Sequence, residues 1–197
     1  MSGTCELPNQ SWLVRTANGV FPLLWERKWL PPPRLDDEQL IEQAQRETGL
    51  SDFGDPWFRQ PLRRLASALR EEAQLNPLGR LAAHGQLAKL LRERLWAQHW
   101  FDTEPQILQQ SLSPPVIVVG EMRSGTTRLH RLLAADYRFA HMRFFEAVCP
   151  APHPLFAPGG PDPRPAIAGR ILSAVHRLNP RTATIHPTGP MEPEEEL

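Results

Sequence analysis

Apolar residues recur at helical spacing from about residue 35 onward, and helix-capping side chains mark where the first helix begins and ends. Asp36 can accept a hydrogen bond from the first helical turn, and Gln39 stands at the matching position of a capping box. Leu35 and Leu40 flank that turn in the manner of a hydrophobic staple. We therefore predict a helix that begins after Asp36 and ends at Gly49.

A second helix is predicted to begin at Asp55-Pro56, which is an N-cap residue followed by proline in the first turn. Asn76-Pro77 is expected to stop it. Its apolar stripe consists of Leu62, Leu65 and Leu69. This spacing is typical of core packing.

A third helix is predicted from about Gly79 to Phe101. Its apolar stripe consists of Leu87, Leu91 and Leu95. The charged residues Arg92, Glu93 and Arg94 are expected to form a solvated face of this helix. Together the three helices predict a helical subdomain that covers a sheet or forms part of an acceptor pocket.

Val116 to Val119 breaks the helical pattern, because these consecutive β-branched residues show no polar alternation. Such a run is typical of a central parallel strand that is covered on both faces. Phe139 to Phe145 is the candidate second strand, with Glu146 at its carboxyl end. Ligands of open α/β sheets bind at that edge, so Glu146 is placed where chemistry is expected.

Asp162-Pro163 opens a further helix, which we expect to reach Asn179-Pro180 with Ile167, Ile171 and Val175 on one side. The elements together predict the α/β class, with a P-loop-like parallel sheet core that is incomplete in this chain and an N-terminal helical subdomain. The predicted division is an unassigned N-terminal arm at residues 1–34, the helical subdomain at 35–112, and the α/β domain at 113–197.

Composition limits the classes of function that remain. The 197 residues are 41% apolar, which suffices for a core, and 22 basic residues balance 22 acidic ones. The chain therefore has no net field that favours nucleic acid or an anionic membrane. The residues from Met1 to Val20 lack the order of a signal peptide, and no apolar stretch would span a membrane, so we expect a cytoplasmic protein. Cys5 and Cys149 lack metal-binding spacing, and we assign no metal.

A glycine-bearing loop follows the predicted strand and precedes an amphipathic helix. Gly120 allows a sharp turn, Gly125 allows close approach of backbone to ligand, and the amides from Ser124 to Thr127 would be unsatisfied first-turn donors. Thr126 stands where the nucleotide P-loop has lysine. Arg123 supplies the cationic charge instead, and its planar guanidinium suits bidentate contact to phosphate or sulfate. The loop predicts an anion site unlike that of an ordinary ATPase or GTPase.

The motif Gly-x-x-Arg-Ser-Gly-Thr-Thr at residues 120–127, followed by Leu-His-Arg-Leu-Leu at 129–133, resembles the 5′-phosphosulfate-binding loop of sulfotransferases. The likeness is to a family of bacterial sulfotransferase-like proteins, and it spans about residues 35 to 197 through further segments at 49–55, 75–80, 145–146 and 186–195. Met122 stands where the family usually has proline, and Phe145 where it usually has tryptophan. Neither change removes a charged group.

This resemblance implies that 3′-phosphoadenosine 5′-phosphosulfate (PAPS) is the sulfuryl donor and that a hydroxyl or amine of a small molecule is the acceptor. The implied PAPS-binding residues are Arg123, Ser124, Gly125, Thr126 and Thr127. Transfer of a group with negatively charged oxygens depends mainly on positioning and charge stabilisation, which these donors fit. By analogy, Arg123 would stabilise charge on the leaving phosphate and the bridging oxygen.

The acceptor also needs a base within hydrogen-bond reach, and two residues qualify. Glu146 resembles in placement the acidic base of carboxylate-using sulfotransferases, and His186 resembles the histidine base of the cytosolic enzymes. We favour Glu146, because a strand end is a more rigid platform than a proline-bounded loop. The sequence leaves the choice between Glu146 and His186 open.

The sequence resembles the N-terminal half of a sulfotransferase, since no segment matches the residues that grip the 3′-phosphate of PAPS in the full family. Two alternatives to an active sulfotransferase remain. One is a P-loop small-molecule kinase that uses ATP and magnesium, which Thr126 in place of lysine disfavours. The other is a non-catalytic remnant with a vestigial anion site. The acceptor and the oligomeric state are not determined by the sequence.

Overall fold

The computed structural model describes residues 11–121, 124–154, 156, 159–185 and 187–193. The described backbone forms eight α-helices and two short 3₁₀ turns, at Pro56–Phe58 and Pro105–Gln109. The helices are α1 (Trp12–Glu26), α2 (Asp37–Thr48), α3 (Arg59–Glu71), α4 (Pro77–Thr103), α5 (Thr126–Ala134), α6 (Phe144–Val148), α7 (Arg164–Leu178) and α8 (Arg181–Ile185). The chain divides into two compact units, one ending at Gln98 and the other beginning at His99.

The expected parallel sheet core is wrong for this chain. The described residues are 61% helical and 1% strand, and they contain no sheet. The one β-bridge among them is isolated and antiparallel, between Arg143 and Pro193. The fold of the described residues is therefore mostly helical.

Val116 to Val119 shows why the prediction of a strand failed. Val116, Ile117 and Val119 are 65%, 75% and 87% exposed, and their backbone is irregular. A parallel strand depends on hydrogen bonds from neighbouring strands and on helices that cover both faces. The described part of this chain supplies no neighbouring strand, so β-branched composition alone does not make a sheet.

The prediction of a second strand at Phe139 to Phe145 is also wrong. The segment ends instead in the short helix α6, which begins at Phe144 and carries Glu146 in its first turn. Phe144 and Phe145 are both 3% exposed. These two residues are buried by packing against α7 as part of a helix, whereas Phe139 is 38% exposed.

Local capping explains why the helices of the N-terminal unit lie where the sequence places them. Asp36 caps α2 by accepting a hydrogen bond from the Gln39 amide at 3.2 Å, and Gly49 ends the helix with φ +71°. Asp55 accepts a hydrogen bond from the Trp57 amide at 2.9 Å and starts the turn that leads into α3. The predicted bounds of α2 and the predicted start at Asp55-Pro56 are confirmed, and α4 agrees with the third predicted helix to within two residues at each end. The predicted stop of the second helix at Asn76-Pro77 is wrong, because α3 ends at Glu71.

The core of the N-terminal unit lies between α2, α3 and α4, with Leu40 and Leu95 fully buried at its centre. The predicted leucine stripe of α4 is confirmed, since Leu87 and Leu91 are also buried. Helix α1 carries no buried residue, and Trp12 is 66% exposed. Helical packing of leucines thus forms this core without a sheet.

The polar face expected on α4 is not solvated. Glu93 is 6% exposed and lies 3.8 Å from the Lys89 ammonium. Arg94 donates hydrogen bonds to the backbone carbonyls of Phe53 and Asp55 at 2.8 Å and 2.7 Å. Arg94 thereby holds residues 53–55 against α4, a role that its charge alone did not indicate.

The C-terminal unit has a smaller core, formed by α6 and α7. Ala168 and Leu172 are the buried residues of α7, whereas Val175 is 41% exposed. The buried face is thus displaced by one position from the predicted one. No helix in the described part of the chain combines the length and apolar character needed to cross a membrane.

Candidate functional site

The glycine-bearing loop forms a tight turn that leads into α5. Ser124 donates two hydrogen bonds to the Glu121 carbonyl, from its amide at 3.1 Å and from its hydroxyl at 2.6 Å. Gly125 is the N-cap residue of α5, with φ +93°, a conformation that favours glycine. A turn followed directly by a helix is the local structure expected for an anion-binding loop.

Gly120 is closely packed inside this turn. A Cβ atom at that position would lie 2.7 Å from Ser124 Oγ and 2.8 Å from Thr126 Cγ2. A larger residue would require the Ser124 hydroxyl and the Thr126 methyl group to move. The turn is therefore closely packed around Gly120.

The start of α5 presents free donors. No side chain caps the helix at Gly125, and the first four amides of an α-helix have no partner within the helix. Ser124 and Gly125 are exposed, and Thr126 and Thr127 are half-buried. Aligned amides and the positive end of the helix dipole favour an anion at this position.

Two of the residues predicted for the site, Arg123 and His186, lie outside the described residues. Ser124, Gly125, Thr126 and Thr127 lie together at the start of α5, as the loop pattern predicts. Glu146 lies in the first turn of α6. The described site thus consists of the loop amides and hydroxyls, and of a carboxylate on a separate short helix.

The segment at residues 187–193 forms hydrogen bonds with both α5 and α6. Arg131, on α5, donates a hydrogen bond from Nη2 to the Pro187 carbonyl at 2.8 Å. At the other end of the segment, the amides of Phe144 and Phe145 donate to the carbonyls of Glu192 and Pro190 at 2.9 Å and 3.1 Å. The segment that follows His186 is thereby tied both to the loop helix and to the helix that carries Glu146.

Glu146 is held by a single arginine. Its carboxylate accepts hydrogen bonds from the Arg143 amide at 2.8 Å, from Nε at 3.2 Å and from Nη2 at 3.0 Å. The guanidinium of Arg143 lies over the Phe145 ring at 4.8 Å, and that of Arg164 lies over the same ring at 5.2 Å. Glu146 thus closes a capping box at the start of α6.

These contacts determine the charge state of Glu146. The side-chain hydrogen bonds from Arg143 lower the pKa of the Glu146 carboxyl below its ordinary value of 4.5, although burial opposes the shift. The same pairing raises the pKa of Arg143. Glu146 is therefore ionised at neutral pH, which a base requires, but its hydrogen bonds reduce its basicity.

Acid is expected to destabilise the protein partly through Glu146. Because its folded pKa lies below the ordinary value of 4.5, the ionised carboxylate stabilises the fold above that pH. This stabilisation is lost as the pH falls through the lower, folded pKa. Glu146→Gln should reduce the free energy of unfolding by about 0.5–1 kcal/mol at neutral pH, as loss of a cap does. Urea unfolding at a series of pH values measures both effects.

The matched control for this experiment is Glu72→Gln, since Glu72 is an exposed residue at the end of α3. Glu72→Gln should keep both the neutral-pH stability and the acid-induced loss of the wild type. Below about pH 4.5, Glu146→Gln should lose less unfolding free energy than either the wild type or Glu72→Gln. Identical pH profiles for all three proteins would contradict the role assigned to the Arg143 pair.

Sequence reasoning missed Arg143 and Arg131. Arg143 could have been found, because its spacing of three residues from Glu146 is that of a capping box. Arg131 carries no comparable signal, since its partner is the backbone of Pro187, which is 56 positions away in the sequence. Only the tertiary structure brings that carbonyl to α5.

Comparison with known proteins supports the resemblance seen in the sequence. No protein-family model and no curated protein matches the chain. Among solved structures, the chain is similar to the sulfotransferase STF1 from Mycobacterium tuberculosis H37Rv, with a TM-score of 0.67 and 28% sequence identity. The similarity covers 83% of this chain and 46% of that one, so the chain spans less than half the length of the sulfotransferase it matches. Each unit holds about half of the 197 residues, so a match of this extent reaches into both. The chain therefore has a bacterial sulfotransferase-like fold.

Proposed function

We propose that this protein is a sulfotransferase that binds PAPS through the loop at residues 120–127 and transfers its sulfuryl group to a hydroxyl or amine of a small molecule. The observation that carries the proposal is the uncapped start of α5, directly after a turn that is closely packed around Gly120, in a chain with a sulfotransferase-like fold. The solved relative is named a sulfotransferase, which supports the same class of reaction here.

The residues present suit the sulfated phosphate of PAPS. The first-turn amides of α5 have no side-chain cap and would supply donors to an anion, and Ser124 and Gly125 beside them are exposed. The Ser124 hydroxyl is bonded to the Glu121 carbonyl and would rotate to reach a ligand oxygen. PAPS, when bound, supplies the sulfuryl group. Arg123 would hold the phosphate oxygens, and its guanidinium would stabilise charge that develops on them.

The base that accepts the acceptor proton is proposed to be Glu146 or His186. Glu146 is ionised, which supports the role, but Arg143 occupies both of its oxygens. To act as a base, Glu146 would need to exchange at least one of these hydrogen bonds for the acceptor hydroxyl. His186 directly precedes the segment at 187–193, which forms hydrogen bonds with α5 and α6. Both residues therefore stay candidates.

Titration calorimetry with adenosine 3′,5′-bisphosphate tests the proposal, because this compound is the product that PAPS leaves after transfer and carries the phosphates without the sulfuryl group. The wild-type chain should bind it, and Arg123→Ala should weaken binding about tenfold through loss of a charged hydrogen-bonding partner. Arg177→Ala is the matched control, since Arg177 is an exposed arginine on α7, outside the loop. It should bind as the wild type does.

A parallel titration with ATP and magnesium separates the alternatives. Binding of ATP in preference to the bisphosphate would favour a small-molecule kinase and contradict the proposal. Absence of binding to either nucleotide, in a protein shown to be folded by circular dichroism, would favour a non-catalytic remnant. A sulfate-transfer assay with simple phenols and amines then tests turnover directly.

A further inference from the structure

The N-terminal unit contains a cavity of about 540 Å³ that is separate in sequence from the loop at 120–127. One wall is formed by Phe21 and Trp25 on α1, whose rings stack at a centroid distance of 6.0 Å with a 20° angle between their planes. The prolines at 31–33 line a second wall. A cavity of this size with aromatic and proline walls has the dimensions and apolar character of a small-molecule site.

The walls of the cavity are held in place by specific hydrogen bonds. Arg80 on α4 donates from Nε to the Pro33 carbonyl at 2.8 Å, and Arg70 on α3 donates from Nη1 to the Leu35 carbonyl at 2.6 Å. Helix α1 is attached by Asn18, whose side-chain oxygen accepts a hydrogen bond from the Leu78 amide at 2.9 Å. Proline also restricts the backbone of the second wall. The cavity is therefore preformed, which lowers the entropic cost of binding.

The polar lining of the cavity carries positive charge. Among the described residues that line it, the charged ones are Arg34 and Arg46, and no carboxylate is among them. Arg34 donates from Nη1 to the Gln39 side-chain oxygen at 3.2 Å, which orients the guanidinium. Arg46 is exposed at the cavity rim. This charge distribution complements an anionic group.

A hydrogen-bond chain at the far side of the cavity completes the polar lining. Glu47 accepts a hydrogen bond from the Gln43 side-chain nitrogen at 2.8 Å, so the Gln43 oxygen faces His84 Nε2 at 3.0 Å and accepts a hydrogen bond from it. Arg92 pairs with Glu47 at 2.5 Å and offsets the charge of that carboxylate. Burial lowers the pKa of His84, so this residue is neutral above its ordinary value of 6.5 and leaves Nδ1 as an acceptor.

We infer that this cavity is a binding site for a planar aromatic molecule that bears one anionic group, such as an aromatic sulfonate or carboxylate. The aromatic body would stack on Phe21 and Trp25 and contact the proline wall. The anion would pair with Arg34 and Arg46. The site is independent of the sulfotransferase proposal, because every residue that forms it lies in the N-terminal unit.

The test uses 2-naphthalenesulfonate and 2-naphthoate as probes of the full chain, with titration calorimetry and tryptophan fluorescence as readouts. Both anions should bind, whereas uncharged 2-naphthol should bind at least about fivefold more weakly. Because the chain has six tryptophans, Trp25→Phe identifies the responding ring, and it should remove most of the fluorescence change. Trp29→Phe, which replaces a ring 68% exposed and outside the cavity lining, should leave it unchanged.

Arg46→Gln should weaken binding of both anions about fivefold to tenfold. Arg64 is an exposed residue of α3 outside the cavity lining, so Arg64→Gln should have no effect. Thr127→Val alters the loop and should also have no effect on the probes. The proposal would be overturned if 2-naphthol bound as tightly as the anionic probes, or if Arg46→Gln bound these probes as tightly as the wild type does. Weaker binding of the probes by Thr127→Val would also overturn it. Preference between the sulfonate and the carboxylate identifies the anion that the site selects.

Discussion

A Gly120→Ala variant is expected to bind adenosine 3′,5′-bisphosphate at least about thirtyfold more weakly than the wild-type chain, since overpacking of this kind costs about 2 kcal/mol. The added Cβ would lie 2.7 Å from Ser124 Oγ and 2.8 Å from Thr126 Cγ2. Relief of this contact would rotate Ser124 Oγ away from the Glu121 carbonyl and break their 2.6 Å hydrogen bond. The turn would then keep only one of its two hydrogen bonds from Ser124, and the Thr126 side chain in the first turn of α5 would have to move as well.

The matched control for Gly120→Ala is Gly85→Ala. Gly85 lies within α4, and a Cβ atom there meets nothing within 4 Å. That variant should bind the nucleotide normally and gain about 0.5–1 kcal/mol of stability, because alanine favours a helix over glycine. Calorimetry measures the affinity, and circular dichroism verifies that each variant is folded. Unchanged affinity in a folded Gly120→Ala protein would show that ligand binding does not use this turn.

A Leu95→Ala variant is expected to lose about 3 kcal/mol of unfolding free energy, within the usual range for truncation of a fully buried leucine. Leu95 is 0% exposed and belongs to the cluster that joins α2, α3 and α4. Removal of its methyl groups leaves a cavity, and the surrounding helices are held by hydrogen bonds such as Arg94 to the Phe53 carbonyl at 2.8 Å, which limit collapse. A loss of this size is a large fraction of the stability of an ordinary domain.

Leu90→Ala on the same helix is the control, because Leu90 is 44% exposed. It should change the unfolding free energy by less than about 1 kcal/mol. Urea titration followed by circular dichroism measures both variants. Equal effects of the two substitutions would contradict the packing described for α4, since they remove the same atoms from positions that differ only in burial.

The helices of the N-terminal unit could be predicted from local residues because their ends depend on local chemistry. Asp36 and Asp55 accept hydrogen bonds from amides two or three positions ahead, and Gly49 adopts a left-handed conformation that few other residues tolerate. Periodic leucines then select the buried face. None of these effects depends on a distant part of the chain.

Predictions for strands and for charged faces failed where distant contacts decide the outcome. The segment from Val116 to Val119 has the β-branched composition of a buried strand, but none of its residues is buried. A strand needs neighbouring strands to bond with, and the described chain does not provide them. Arg94 is expected on a solvated face, but it donates hydrogen bonds to the backbone carbonyls of Phe53 and Asp55, which lie 41 and 39 positions away in the sequence. Residue type alone does not settle burial in either case.

The candidate site also has one part that the sequence predicts and another part that it does not. The glycines and the row of first-turn amides follow from the residue order of the loop, and the structure describes them at the start of α5. The environment of Glu146 does not follow from that order, since Arg143 and the segment at 187–193 enclose α6. A carboxylate that the sequence suggests as a base is, in the structure, also the cap of a helix.

The sequence by itself determined the helix ends, the leucine core of the N-terminal unit and the sulfotransferase-like loop, because each depends on interactions between residues within a few positions of one another. The tertiary structure alone decided that the described chain has no sheet, that residues 187–193 hydrogen-bond to both α5 and α6, and that α1 and the prolines at 31–33 line a cavity. These features depend on backbone hydrogen bonds and packing between segments far apart in the chain, which residue order does not encode locally.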